Sequence, residues 1–337
     1  MATPLEARGF DLDVPSGTPS RLAPALGRLA RGLLYFLVLL WVVYSLAFTL
    51  VYAMPSDPVS LMIERRSSGA GSLSTEQVAA LHQQYGTDRP LIERYISTLG
   101  SLLIGDLGIS FQSGQSVSSL IAAAAPATLE LASAGLVLAV MISVGLAFLT
   151  SWKPEGLVHK ALQSVPAIIA GIPAFWLGLL LLQVFSFNFG WFPSTRTDGV
   201  SSLILPALAL ALPLSAPLTV VLVRNIDAAW HSDFVLLLIG RGLPRHVVFF
   251  SHVVRNSLLP FVTLLGLTVG GVLVGTVVTE TVFSRSGLGR LLVTAVENQD
   301  APVVLALSML GALVFASANL IVDLVYPFVD PRIRRSS

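Results

Sequence analysis

The residues able to do chemistry in this 337-residue chain are few and scattered. There is no cysteine, so disulfides, thiolate metal sites and cysteine nucleophiles are excluded. The five histidines, His82, His159, His231, His246 and His252, show no metal-ligand spacing, and the His-Glu-x-x-His pattern is missing. A Gly-x-Ser-x-Gly elbow is absent too, as is the Gly-x-x-x-x-Gly-Lys-Ser/Thr loop that cradles nucleotide phosphates. No catalytic residue, cofactor ligand or metal ligand is therefore assigned, and the chain is not expected to be an enzyme.

Two groups of polar residues remain. Glu130, Glu280 and Asp323 lie within a turn or so of the ends of long apolar segments, where an unpaired charge is costly. Their places at segment ends favour capping of helix termini or pairing between subunits over solute binding. The second group is the stretch DFVLLLIGRGLPRHVVFFSHVVRNSLLP, from Asp233 to Pro260. It carries Asp233, Arg241, Arg245 and Arg255 between two uncharged segments and breaks at Gly242-Leu243-Pro244. That pattern predicts two short helices joined at a glycine-proline turn, running along a membrane surface and turning back inward at Pro260. Phe234 to Ile239 lies either against the protein's own helices and lipid or in the grip of another protein.

The elements that must position these residues follow from composition. Hydrophobic residues make up 54% and charged residues 12%, which places the chain among polytopic membrane proteins. A net charge of +1 with no basic stripe gives no reason to expect nucleic acid. Six uncharged stretches, 33–54, 131–150, 161–189, 203–223, 258–279 and 303–322, are each long enough to cross the roughly 30 Å hydrocarbon layer. Thirteen Lys and Arg fall on one set of alternating sides and seven on the other, so the positive-inside rule predicts both termini, and the 231–257 loop, in the cytoplasm. The expected division is a cytoplasmic arm (1–32), a first span (33–54), an extracytoplasmic segment with short helices (55–127), a five-helix core (128–327) and a cytoplasmic tail (328–337).

Within the 55–127 segment, STEQVAALHQQY (74–85) opens with a capping pattern, and residues 90–103 form a second amphipathic candidate. Pro206, Pro213 and Pro217 in the fourth span and Pro166 and Pro173 in the third are expected to permit kinks. Gly266, Gly270, Gly271 and Gly275 in the fifth allow close helix approach.

Asp233-Phe234-Val235, Gly242-Leu243, His252, Arg255-Asn256 and Leu259-Pro260 together resemble the cytoplasmic coupling loop, the EAA loop, of the membrane subunits of ABC importers. Further blocks, LSTEQVAALHQQYGTDRPLIERYISTL, GDLGISFQSGQSV, PATLELA, GIPAFWLGLLL, TETVFSRSGLGRLL and NLIVDLVYPFVDPRIR, are similar in order to the dipeptide, oligopeptide and nickel permease family, B-type subunit, from about residue 33 to 335. The resemblance implies an all-α, six-helix type I importer permease in a bacterial inner membrane, supplying half of a translocation pathway. It implies a second homologous permease subunit, two cytoplasmic ATPase subunits that hold ATP and Mg, and an extracytoplasmic solute-binding protein. One departure stands out: where the family has small and basic residues before the loop glycine, this chain has Leu236-Leu237-Leu238-Ile239-Gly240-Arg241, which calls for a more apolar partner cleft. Peptide is the expected solute, with nickel or another small solute as alternatives. A stand-alone secondary transporter is the reading of a different class, and it requires an internal repeat and mid-span charges that the sequence does not display.

Overall fold

The computed structural model describes residues 22–52, 89–152, 157–193 and 199–329. Among these, helices account for nearly all regular structure, and the sole β feature is an isolated antiparallel bridge between Ile109 and Ser116. We number the helices α1 (Leu22–Tyr52), α2 (Leu91–Leu103), α3 (Val117–Trp152), α4 (Leu157–Ala170), α5 (Ala174–Leu181), α6 (Val200–Trp230), α7 (Asp233–Gly240), α8 (Arg245–Val248), α9 (Val254–Val282), α10 (Leu288–Glu297) and α11 (Ala301–Val329). Two π-helical turns, Leu182–Asn188 and Phe249–Val253, extend α5 and join α8 to α9.

Among the described residues five helices are long and apolar enough to cross a bilayer: α1, α3, α6, the α8–α9 run and α11. The expected third span, 161–189, is a bent pair instead. Residues Ala161–Ala170 and Ala174–Asn188 meet at 106°, so six crossings result if the pair is one span. The break falls at Gly171-Ile172-Pro173, where Pro173 takes an extended conformation as N-cap of α5 and cannot donate to the preceding turn. α6, by contrast, runs unbroken through Pro206, Pro213 and Pro217. Within that stretch Ser215 donates its hydroxyl to the Leu212 carbonyl at 2.7 Å and Thr219 to the Ser215 carbonyl at 2.7 Å.

α3 is 36 residues long and begins at Val117, inside the segment expected to be extracytoplasmic. At about 1.5 Å per residue it is longer than the hydrocarbon layer is thick, and part of it projects beyond. Its tightest partner is α6. Leu210 of α6 fits against both Gly135 of α3 and Gly275 of α9, and a Cβ at either glycine would press into the Leu210 side chain, at 2.6 and 2.7 Å. Gly270 meets Phe315 and Ala318 of α11 at ordinary contact distance, while Gly271 faces open space, so Gly275 makes a close approach that Gly271 does not. α1 lies against α11.

α2 matches the amphipathic helix expected at 90–103. Tyr95 on its inner face accepts the buried Tyr44 hydroxyl on its carbonyl at 2.7 Å, and the rings of Tyr44, Phe48 and Tyr95 cluster within 6 Å of one another. The helix expected at 74–85, most of the N-terminal arm and the last residues of the tail lie outside the described residues.

Candidate functional site

The loop of interest starts where α6 ends at Trp230. Ser232 turns the chain, its hydroxyl donating to the Ala229 carbonyl at 2.5 Å, and Asp233 opens α7 with an exposed carboxylate in the first turn, where the helix dipole favours negative charge. α7 stops in a Schellman motif. Gly242 sits at φ +88°, its N–H donating to the Ile239 carbonyl at 2.9 Å, while Leu243 N–H reaches back to Leu238 at 3.2 Å. Leu238 and Leu243 then both pack into the same apolar cluster, the side-chain contact that accompanies such an ending. Pro244, extended, starts α8 and lends its carbonyl to the N–H groups of Val247 and Val248.

Burial divides the apolar stretch into two faces. Val235 is buried, and Phe234, Leu238, Ile239 and Leu243 rest on a core cluster shared with α3, α6 and α9. Leu236 and Leu237 point away, 68% and 66% exposed. Asp233, Arg241, Gly242, Pro244, Arg245 and His246 are exposed as well, as are Arg255, Asn256 and Pro260 on the first turns of α9. Two exposed leucines, with Asp233 one turn before them and Arg241 one turn after, form a small knob with an apolar centre and charged flanks.

At the far end of α9 a different constellation forms. Glu280 is fully buried, and its carboxylate accepts from the Thr128 hydroxyl of α3 at 2.6 Å and from the N–H groups of Gly289 and Arg290 at 2.8 and 3.2 Å. Thr128 in turn accepts from Leu288 N–H at 2.7 Å. The carboxylate thus satisfies the free N–H groups at the start of α10 and sits at the positive end of that helix. Gly287 and Gly289 are required for this approach, because a Cβ at the first would overlap the Glu280 carboxylate and at the second the Val277 backbone. Glu280, near the end of α9, thus caps the start of the next helix. Glu130, half-exposed, pairs with the buried Arg285 at 3.0 Å. Asp323 has its side chain outside the described part of the structure.

Sequence reasoning missed Thr128, Arg285 and Asp300. The first two sit inside the blocks PATLELA and TETVFSRSGLGRLL, so their neighbourhood was flagged but not their contact. Asp300, 2% exposed, accepts from the Ser110 hydroxyl at 2.5 Å and Phe111 N–H at 3.0 Å, clamping the 105–116 turn to the α10–α11 junction across nearly two hundred residues. No local signal marks that pairing. Among the described residues no group of three His, Asp or Glu side chains is arranged to hold a metal.

Among the described residues, the surface knob at one end and the buried carboxylates at the other are two distinct polar constellations. They offer a grip and a set of fixed joints. Comparison with known proteins agrees with that character. Residues 139–335 match the model of the binding-protein-dependent transport system inner membrane component family, and residues 26–132 match the model of its N-terminal membrane component. The chain is 35% identical over 299 residues to the oligopeptide transport system permease protein AppB of Bacillus subtilis, covering 86% of this chain and 93% of that one. It is 34% identical over 316 residues to the glutathione transport system permease protein GsiC of Escherichia coli K12, covering 92% and 99%. Among solved structures, an amino acid ABC transporter chain superposes with a TM-score of 0.51 at 14% identity, covering 63% of this chain and 94% of that one, which shows a shared permease fold. The chain is an inner-membrane permease subunit and belongs to the binding-protein-dependent transport system inner membrane component family.

Proposed function

We propose that this chain supplies half of the translocation pathway of an ATP-driven importer for short peptides. The observation that carries the solute class is similarity along nearly the whole chain to permeases named for oligopeptides and for glutathione, itself a tripeptide. The names of these relatives favour peptide over nickel. In this reading a second homologous permease supplies the other half of the pathway, and an extracytoplasmic binding protein delivers the solute. Two cytoplasmic ATPase subunits hold ATP and Mg and carry out hydrolysis, and this chain holds neither. The α7 knob seats in a cleft of one ATPase subunit, with Leu236 and Leu237 at the centre of the contact. Tilting of that knob is passed to α6 and α9, which flank it, so that access to the pathway alternates.

The orientation that this requires, with Arg241 on the cytoplasmic side, rests on the distribution of Lys and Arg. Because the chain has no cysteine, an Arg241→Cys variant labelled with a membrane-impermeant maleimide tests it directly. Labelling only after the membrane is opened supports the reading, and labelling of intact cells overturns it. For function, the complex is purified through this chain, its subunits identified by mass spectrometry, and ATP-dependent uptake of glutathione and tri-alanine measured in proteoliposomes. Uptake by this chain alone, without ATPase subunits, would refute the proposal.

A further inference from the structure

The α7 loop is joined by the chain to α6 and to α9, but to no other span. α6 runs into it through His231 and Ser232, and α8, the π-helical turn and α9 form one run, Arg245–Val282. α3 is not adjacent to the loop along the chain, yet it packs most extensively on α6. Aromatic rings bridge this gap. Phe148, near the end of α3, lies 6.4 Å from the ring of Phe249 and 6.0 Å from Phe250, stacked on the latter. Phe249 also stands edge-on to Trp230, the last residue of α6, at 5.8 Å, and to Phe250 at 5.3 Å. Ring pairs at such separations attract one another beyond the area they bury.

Two further observations place this cluster where motion must pass. Phe249 and Trp230 pack on one buried apolar group that contains Ala147 of α3, Leu222 and Ile226 of α6, Val235 of α7, Val248 of α8 and Phe261 of α9. Phe249 and Phe250 are also the first residues of a π-helical turn. Such a turn interrupts the α-helical ladder, and interruptions of that kind are among the few physical causes of local bending in a helix. A loop displaced by a partner would bend α9 at this turn and leave α3 behind unless something ties the two together.

We infer that Phe249 is a positioning residue for coupling: its ring, wedged between Phe148 and Trp230, makes α3 follow the loop. The spans α3, α6 and α9 then tilt as one body, and the π turn keeps its present shape through the stroke. The inference rests on the proposed reading that ATPase subunits move the α7 loop.

The test uses the full importer complex in nanodiscs. Met141 on α3 and Ser251 in the π turn, both exposed, are changed to cysteine and spin-labelled, which is clean in a chain without native cysteine. Their separation is read by pulsed electron resonance in nucleotide-free and vanadate-trapped complexes. With Phe249 present one distance is expected in both states. In Phe249→Ala the distance is expected to shift between states by about 5 Å, the scale of a one-turn slip, and Phe249→Tyr is expected to abolish the shift. An unchanged distance in Phe249→Ala, or a shift already present with Phe249 in place, overturns the inference and leaves the importer reading intact. Absence of ATPase subunits from the purified complex overturns the importer reading and this inference with it. Should Phe249→Ala not accumulate, Phe148→Leu is read in the same way, and a constant distance there overturns the inference.

Discussion

The two ends of α9 are built from different materials. At the loop end α7, α8 and the π turn rest on their own spans through branched aliphatics and rings, with Val235, Val248 and Val253 buried and Phe249 between Trp230 and Phe148. At the other end, α9 is joined to α3 and α10 by Glu280, which meets Thr128, Gly289 and Arg290 through directional hydrogen bonds. Apolar contact depends on area and tolerates small displacement, whereas a buried hydrogen bond is lost within a fraction of an ångström and leaves orphaned groups costing about 1–3 kcal/mol each. In the proposed importer reading, the difference teaches what each end contributes: hydrogen bonds lock α9 to α3 and α10 at one end, and the area-dependent contacts of the other take the push of a partner.

This contrast can be broken from either side. The largest effect is expected from Glu280→Ala, which removes the acceptor for Thr128 and two backbone N–H groups in a site with no water access. Loss of at least about 3 kcal/mol is expected, read as failure to accumulate in the membrane or a collapsed melting temperature in detergent, with Glu280→Gln intermediate. Next comes Gly242→Val at the loop end. A β-branched residue at φ +88° costs about 2 kcal/mol locally, and the turn that ends α7 is expected to change shape. ATPase co-purification should fall while the melting temperature of the chain itself moves little.

A smaller effect is expected from Leu236→Ser combined with Leu237→Ser. Both side chains are exposed, so folding should be unaffected, but retention of the ATPase subunits should weaken about tenfold, or roughly 1.4 kcal/mol. Equal retention would show that the leucine knob is not the contact. The smallest effect belongs to Glu130→Gln. Its carboxylate is half-exposed and solvent-screened, so no more than about 1 kcal/mol is expected even though its partner Arg285 is buried. A loss as large as that of Glu280→Ala would mean that Glu130, too, is a structural pin and would redraw the comparison.

Much of this organisation is legible in the chain before folding. Uncharged runs of about twenty residues mark the spans because the hydrocarbon layer sets their length. The glycine-proline break marks the loop because only glycine relaxes at the positive φ that ends α7. Glu280 is marked as costly by its position alone. The third span is where the reading fell short. Pro173 was noted as a source of bending, but composition cannot distinguish a bend from a break of 106°. The three prolines of α6, by contrast, leave the helix uninterrupted from Val200 to Trp230.

By itself, then, the sequence determined the membrane class, the number of apolar runs, the loop and its family likeness, since these depend on composition and spacing along the chain. Only tertiary structure decided that Glu280 caps α10 through Thr128, that Asp300 holds the 105–116 turn, and that Phe148 meets Phe249. Those pairings join residues about one hundred or more positions apart, or cross between helices, and no local period encodes which side chain a buried carboxylate or a ring will find. Helix packing selects the partner, and the cost of an unsatisfied polar group in an apolar interior then holds the choice in place.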